Sequence, residues 1–293
     1  MSRFLRGLLG VTIFFALGII AFLFNLQQRS PFSTEEFIGI LSEKSTAENP
    51  EEYINALRTC MLAREPEVSV TYVGSGSELE KFAEDVLQDV FAVDDVENPS
   101  DFDYLQYIYG GMRVKMEGVY GFYKVTYQFD YLESKEQTEA VDAEIEKLYK
   151  KWKMDKLSPY KKVKKIHDYI IKNASYDMSG AANTAYSNLI GKESACQGYA
   201  ALFYKMCTVA DVPCRVIVGQ GNNESHAWNI VKLKGLWYNL DCTWDDPVGP
   251  LGDDYVSYDY FLKGQKNFGN HIPDARYQTE EFRDNYHISE ADY

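Results

Sequence analysis

The sequence predicts an α+β fold, in which a helix led by a cysteine packs on an antiparallel sheet carrying a histidine and an aspartate. Three observations point to it. After Cys196 the apolar residues Tyr199, Ala200, Leu202, Phe203, Met206, Cys207 and Ala210 recur at helical spacing. Residues 226–233 and 236–242 are rich in Trp, Ile, Val, Leu and Tyr, and Lys234-Gly235 between them is a two-residue hairpin turn. Upstream, residues 68–73 and 122–131 alternate apolar side chains as half-buried strands do, and 79–90 and 141–152 carry amphipathic helical patterns.

In chain order, 293 residues leave room for one large or two modest domains. A formal charge of −14 argues against nonspecific nucleic-acid binding and indicates a soluble, self-repelling surface. Twenty-three tyrosines fit β-rich packing. Residues 1–29 read as a membrane anchor. Arg3 and Arg6 precede an uncharged run whose core, residues 8–24, is long enough to span a bilayer. No small-x-small cleavage site follows, so the segment is expected to stay. Its basic end then remains cytoplasmic, and the rest lies outside the cytoplasm as a single-pass membrane protein.

Residues 30–66 read as a polar stalk with helix starts at Ser33-Thr34-Glu35-Glu36 and Pro50-Glu51-Glu52, closed by Pro66. Residues 67–157 read as an accessory α/β region. Its Gly74-Ser75-Gly76-Ser77 lacks the lysine of a phosphate loop and reads as a turn. Residues 158–293 read as the fourth segment, a domain of its own. Ser158 caps a helix with Pro159 at its first position, striped by Tyr160, Val163, Ile166 and Ile170. His167 and Asp168, adjacent on that helix, are expected to point apart. Residues 219–225 read as a flexible rim loop, 255–262 as a final strand, and the tail beyond Pro273 as a peripheral helix or loose end.

The chemistry gathers between Lys192 and Pro247. Cys196 falls at a helix N-terminus, where free backbone N–H groups and the helix dipole favour a thiolate and could receive an oxyanion. Counting back from the Lys234-Gly235 turn pairs Leu233 with Leu236 and Val231 with Tyr238. His226 and Asp241 then share a face as diagonal neighbours, roughly 7–8 Å apart at Cα. A carboxylate there fixes the imidazole tautomer and stabilises its protonated form. Five cysteines is an odd count, as expected for a free reactive thiol. Cys207 and Cys214 read as packing residues. No CxxC or HxxxH spacing appears, so no metal or other cofactor is expected. Asp245 and Asp246 offer too few ligands for calcium and read as a turn or cap.

These residues carry a family resemblance. Cys196 with Gly198-Tyr199-Ala200, His226-Ala227-Trp228-Asn229, and Asp241 with Thr243-Trp244-Asp245-Asp246-Pro247 closely resemble the transglutaminase-like superfamily of papain-like cysteine enzymes. Residues 166–170, Tyr176-Asp177, Tyr260-Phe261-Leu262 and His271 extend the likeness over about residues 158–272. The resemblance implies a Cys196, His226, Asp241 triad performing acyl transfer on peptide or glutamine-type amides. Resolution by water gives a peptidase or amidase, and resolution by an amine gives a crosslinking enzyme. It also suggests Tyr186 as an oxyanion or substrate-wall residue, and a protein or peptide substrate, with cell-wall or surface protein in view. Gln197 and Trp228 are further candidates for oxyanion or substrate contact, and packing is the alternative reading for Tyr186 and Trp228. The rival reading is a noncatalytic peptide-binding module on the same scaffold.

Overall fold

The computed structural model describes residues 50–293 except 74–75, 96–97, 120 and 247–255. The expected anchor, the helix start at Ser33, Gly74-Ser75 and the 249–252 loop lie outside the described residues. Among the described residues no helix is long and apolar enough to cross a membrane.

Contacts divide the described chain into two compact units. The first takes the residues up to Val90 with 111–129. It holds helix α1 (Pro50–Leu62), strand β1 (Glu67–Val73), helix α2 (Gly76–Ala92), and strands β2 (Tyr109–Val119) and β3 (Phe122–Tyr131) in the sheet order β1-β3-β2. The expected turn at Gly76-Ser77 is instead the start of α2. The antiparallel register of β1 on β3 sets Val70 against Val125, and both are buried. Within the segment read as a stalk, α1 buries Tyr53, Leu57 and Met61. The Tyr53 and Tyr127 hydroxyls hydrogen-bond at 2.8 Å, which satisfies both where water cannot reach.

The second unit takes 91–110 with 130–293. Its helices are α3 (Asp103–Ile108), α4 (Lys135–Trp152), α5 (Pro159–Asn173), α6 (Ala185–Leu189), α7 (Cys196–Val209) and α8 (Glu280–Asn285). A short parallel pair joins β4 (Ser175–Tyr176) to β5 (Glu193–Ser194). The main sheet has the order β8-β7-β6-β9, from β6 (Cys214–Gly221), β7 (Glu224–Leu233), β8 (Leu236–Leu240) and β9 (His271–Pro273). A capping box of Ser134 and Gln137 starts α4, whose Val141, Ile145 and Leu148 face the core. Ser158 stands at the cap of α5 with Pro159 behind it, but its side chain makes no cap hydrogen bond.

Helix α7 lies at the centre. Every residue from Gly198 to Cys207 is buried. Burial of each Leu or Phe side chain there contributes roughly 1.5–3 kcal/mol. Lys205, fully buried, is tolerated because Asp142 pairs with it at 2.9 Å, Ser100 accepts from it at 2.7 Å and the Tyr104 ring lies 4.2 Å beneath it.

The β7–β8 register is the one the turn dictates: Leu233 against Leu236 and Val231 against Tyr238, with Lys234 and Gly235 both at positive φ. Two expectations fail. Residues 219–225 are not a flexible loop. Gly219-Gln220-Gly221 ends β6, Asn222 and Asn223 make a tight turn at positive φ, and Glu224 starts β7. Nor do the described residues of 255–262 form a strand. Leu262 sits at φ 49°, which breaks an extended run, and Asp245 captures the Tyr260 N–H at 2.9 Å. The sheet edge beside β6 is taken instead by β9. The tail is held rather than loose, since Trp237 accepts from Ser289 N–H at 2.8 Å and donates to His287 carbonyl at 3.0 Å.

Gly198 permits the closest approach in this unit. A Cβ there would lie 2.0 Å from Ser194 Oγ and 2.6 Å from the Thr184 carbonyl oxygen. Gly198→Ala is expected to destabilise the fold by about 1–3 kcal/mol, as overpacking does. Urea unfolding checks this, and an unchanged midpoint would show that the β5–α7 junction has slack.

Candidate active site

Cys196 is the first residue of α7, after an extended Ala195 that has no capping side chain. With no side chain covering the helix start, the first N–H groups remain available to an anion. Ala195 is itself held, its N–H donating to the Ala182 carbonyl at 2.6 Å. All five cysteines are free thiols, and Cys196 is the one that is not buried. Burial pushes the Cys60 thiol up to about 11 and raises Cys214 and Cys242 well above their ordinary value.

His226 sits near the start of β7, and Asp241 one residue past the end of β8 rather than on it. His226 Nε2 and Asp241 Oδ2 are 2.7 Å apart, with 6% and 1% of the two residues exposed. The Cys196 thiol lies beside His226, near enough to raise its pKa. Burial opposes a charge on His226, but hydrogen bonds with Asp241 and Cys196 and their negative charges outweigh it and push its pKa up to about 9. Burial likewise works to raise the Asp241 carboxyl. Hydrogen bonds from His226 and His271 prevail and hold it below the ordinary carboxylate value.

His271 is the residue that sequence reasoning did not count among the site residues. Its Nε2 lies 3.0 Å from the same Asp241 Oδ2. His226, Asp241 and His271 offer ligand atoms within 4.8 Å of one another, a set of imidazole and carboxylate groups able to hold a transition metal. Their mutual hydrogen bonds account for the grouping without one. Tyr176 on β4 also faces this region. Burial, then the charges of Cys196, Glu224, Asp177 and Asp241, raise its hydroxyl pKa. Local sequence signalled both residues only through the family resemblance.

The other expected residues separate. Gln197 follows Cys196 on α7 and is half-buried. Tyr186 lies on α6, where its N–H donates to Glu133 Oε2 at 3.0 Å. Trp228 is 2% exposed in a cluster with Ile217, Ile230, Trp237 and Phe268. Its ring lies 6.1 Å from that of His226, and it lines a cavity together with Phe268 and His271. Trp244 stacks on the other side of His226 at 5.1 Å. His167 and Asp168 do touch, Nδ1 to Oδ1 at 3.2 Å, against expectation. The shorter bond of His167 runs from Nε2 to the fully buried Asp245 Oδ2 at 2.9 Å and pins the turn after Asp241.

Residues 146–242 match the family model described as the transglutaminase-like superfamily. The chain carries a transglutaminase-like domain. Among curated proteins it is similar to the kyphoscoliosis peptidases of Mus musculus, 32% identical over 146 residues, and of Homo sapiens, 31% identical over 142 residues. The matches take in 44% and 42% of this chain and 21% of each relative, so the chain spans about one fifth of their length. Among solved structures it is similar to a TGase, 15% identical over 68% of this chain and 58% of that one, TM-score 0.34. It is also similar to the periplasmic domain of TgpA from Pseudomonas aeruginosa, 15% identical over 44% and 58%, TM-score 0.30.

The transglutaminase-like geometry predicts selective thiol chemistry. Under limiting iodoacetamide, mass-spectrometric mapping is expected to find Cys196, the accessible thiol, labelled first. His226→Ala should slow that labelling severalfold at neutral pH. Equal labelling of wild type and variant would show that His226 does not activate the sulfur.

Proposed function

We propose that this transglutaminase-like domain is a cysteine peptidase that works by acyl transfer, with Cys196 as nucleophile, His226 as acid and base, and Asp241 as the group that orients His226. The observation carrying the reading is the hydrogen bond between the buried Asp241 carboxylate and His226, with the accessible Cys196 thiol at a helix N-terminus beside that ring. Cys196 Sγ attacks the amide carbonyl carbon, and the carbonyl electron pair moves to oxygen. Backbone N–H groups at the start of α7 stabilise that oxyanion, with Gln197 beside them. His226 gives its proton to the departing amine nitrogen as the C–N bond breaks, leaving a thioester. Water then attacks the thioester as His226 takes its proton, which releases the acid and the thiol. An amine in place of water would give transamidation. The name peptidase borne by both curated relatives favours the hydrolytic course.

Protonation of the leaving amine requires His226 to carry its proton. A histidine whose pKa is raised to about 9 keeps that proton at neutral pH and loses it as pH rises through that value. Hydrolysis of an unfolded protein substrate is therefore expected to hold from neutral pH and fall away near pH 9. Cys196→Ala should abolish it, and Asp241→Asn should lower it by orders of magnitude, through loss of the imidazole orientation. Retained hydrolysis in Cys196→Ala would refute the assignment. Incorporation of an added amine without hydrolysis would move the reading to transamidation.

A further inference from the structure

Asp241 presents four acceptor positions to its surroundings, and each is filled. Oδ1 accepts from the backbone N–H groups of Thr243 at 2.9 Å and Trp244 at 3.2 Å. Oδ2 accepts from His226 Nε2 at 2.7 Å and His271 Nε2 at 3.0 Å. The two histidines therefore share one oxygen. The side chain of His271 is 1% exposed and held on every side. It stacks on Phe268 at 3.9 Å, lies 4.2 Å from Trp244 and meets Trp228 edge-on at 5.0 Å. Its Nδ1 faces the Gly269 carbonyl at 3.1 Å. Both ring nitrogens thus face acceptors, and the bond from Nε2 to the carboxylate is the charge-assisted one.

The backbone has been arranged to permit this meeting. His226 is on β7 and His271 on β9, and β6 runs between them. At that level β6 carries Gly219, paired with both His226 and Pro273, and Gly221, paired with His271 and Glu224. A Cβ on Gly221 would lie 2.9 Å from the His226 ring and 2.8 Å from Trp244. One on Gly219 would lie 2.1 Å from the Ile272 carbonyl oxygen. The bare stretch of β6 lets the two rings approach to 5.4 Å over it.

We propose that His271 is a positioning residue for the proposed acyl transfer: it anchors the second lone pair of Asp241 Oδ2, so that a single geometry and a reduced share of the carboxylate charge are left to His226. The proposal rests on the reading of Cys196 and His226 as the reacting pair. Two donors on one oxygen weaken each other. Removing His271 therefore strengthens the pull of Asp241 on His226 while freeing the carboxylate to rotate about its Oδ1 bonds. The ionisable groups facing His226 from the surrounding elements are Cys196 on α7, Asp241 after β8 and His271 on β9. Of these, only His271 changes in the test.

The test compares wild type, His271→Phe, which keeps a stacking ring without a donor, and His271→Gln, which keeps a donor without the ring. The first readout is the pH titration of the His226 ring by NMR. The second is the split of peptidase kinetics into kcat and KM. His271→Phe is expected to move the His226 midpoint upward by about one unit and to lower kcat roughly tenfold at unchanged KM. His271→Gln should recover most of both. If both variants leave the His226 titration where it was, or behave identically, His271 is a packing residue and the proposal is wrong. The NMR readout needs no turnover, so an inactive wild type would overturn the peptidase reading without deciding this one. Should His271→Phe fail to fold, His271→Leu, which also removes the donor, takes its place: an upward shift of the His226 midpoint supports the anchor, and none overturns it.

Discussion

An ionised carboxylate with 1% of its residue exposed must find its hydrogen bonds inside the protein, and much of the second unit is disposed to supply them to Asp241. Two donors are backbone groups of the turn that follows it, from Thr243 and Trp244. Two are histidines from different strands. Uncompensated burial of such a group costs several kcal/mol, so these four bonds are a condition of the fold as much as of the chemistry. The turn itself is fixed one layer further out, by the pair of His167 and Asp245 at 2.9 Å, with neither side chain exposed.

From that anchor the positions of the other groups follow. His226 is oriented by Asp241 through Nε2, beside the Cys196 thiol. Cys196 is placed by α7, whose buried face packs on the same strands, and by Gly198, which lets the chain before the helix lie against it. A β6 strand carrying side chains at 219 and 221 would separate the histidines and push Trp244 off the His226 ring. Two glycines in one strand are costly in conformational entropy, and here they are matched to close approaches that no larger residue permits.

Much of this was legible in the sequence, for physical reasons. The Lys234-Gly235 turn fixes register because its two positions need positive φ, and register alone brought His226 towards Asp241. The period of apolar residues after Cys196 gave α7. What was hidden depended on contacts distant in sequence. Nothing near His271 announces that β9 pairs with β6, and the glycines that make room for it read equally well as loop residues. The strand expected over 255–262 failed because side-chain bonds from Asp245 and the positive φ at Leu262 override its aromatic, β-like composition. Trp228 read equally as a cleft wall or a packing residue, and the contacts that place it with Phe268 and Trp237 are distant in sequence.

The match to the transglutaminase-like superfamily covers residues 146–242, which hold the thiol, the imidazole and the carboxylate but not His271. The central claim is that Cys196 becomes covalently acylated. Its most direct measurement is intact-mass spectrometry of protein quenched in acid during turnover of a peptide amide or activated ester, followed by mapping of the adduct. The account predicts a mass gain equal to the acyl group, confined to Cys196, released by hydroxylamine and absent from His226→Ala at neutral pH. Turnover with no adduct on Cys196, or an adduct on another residue, would contradict it.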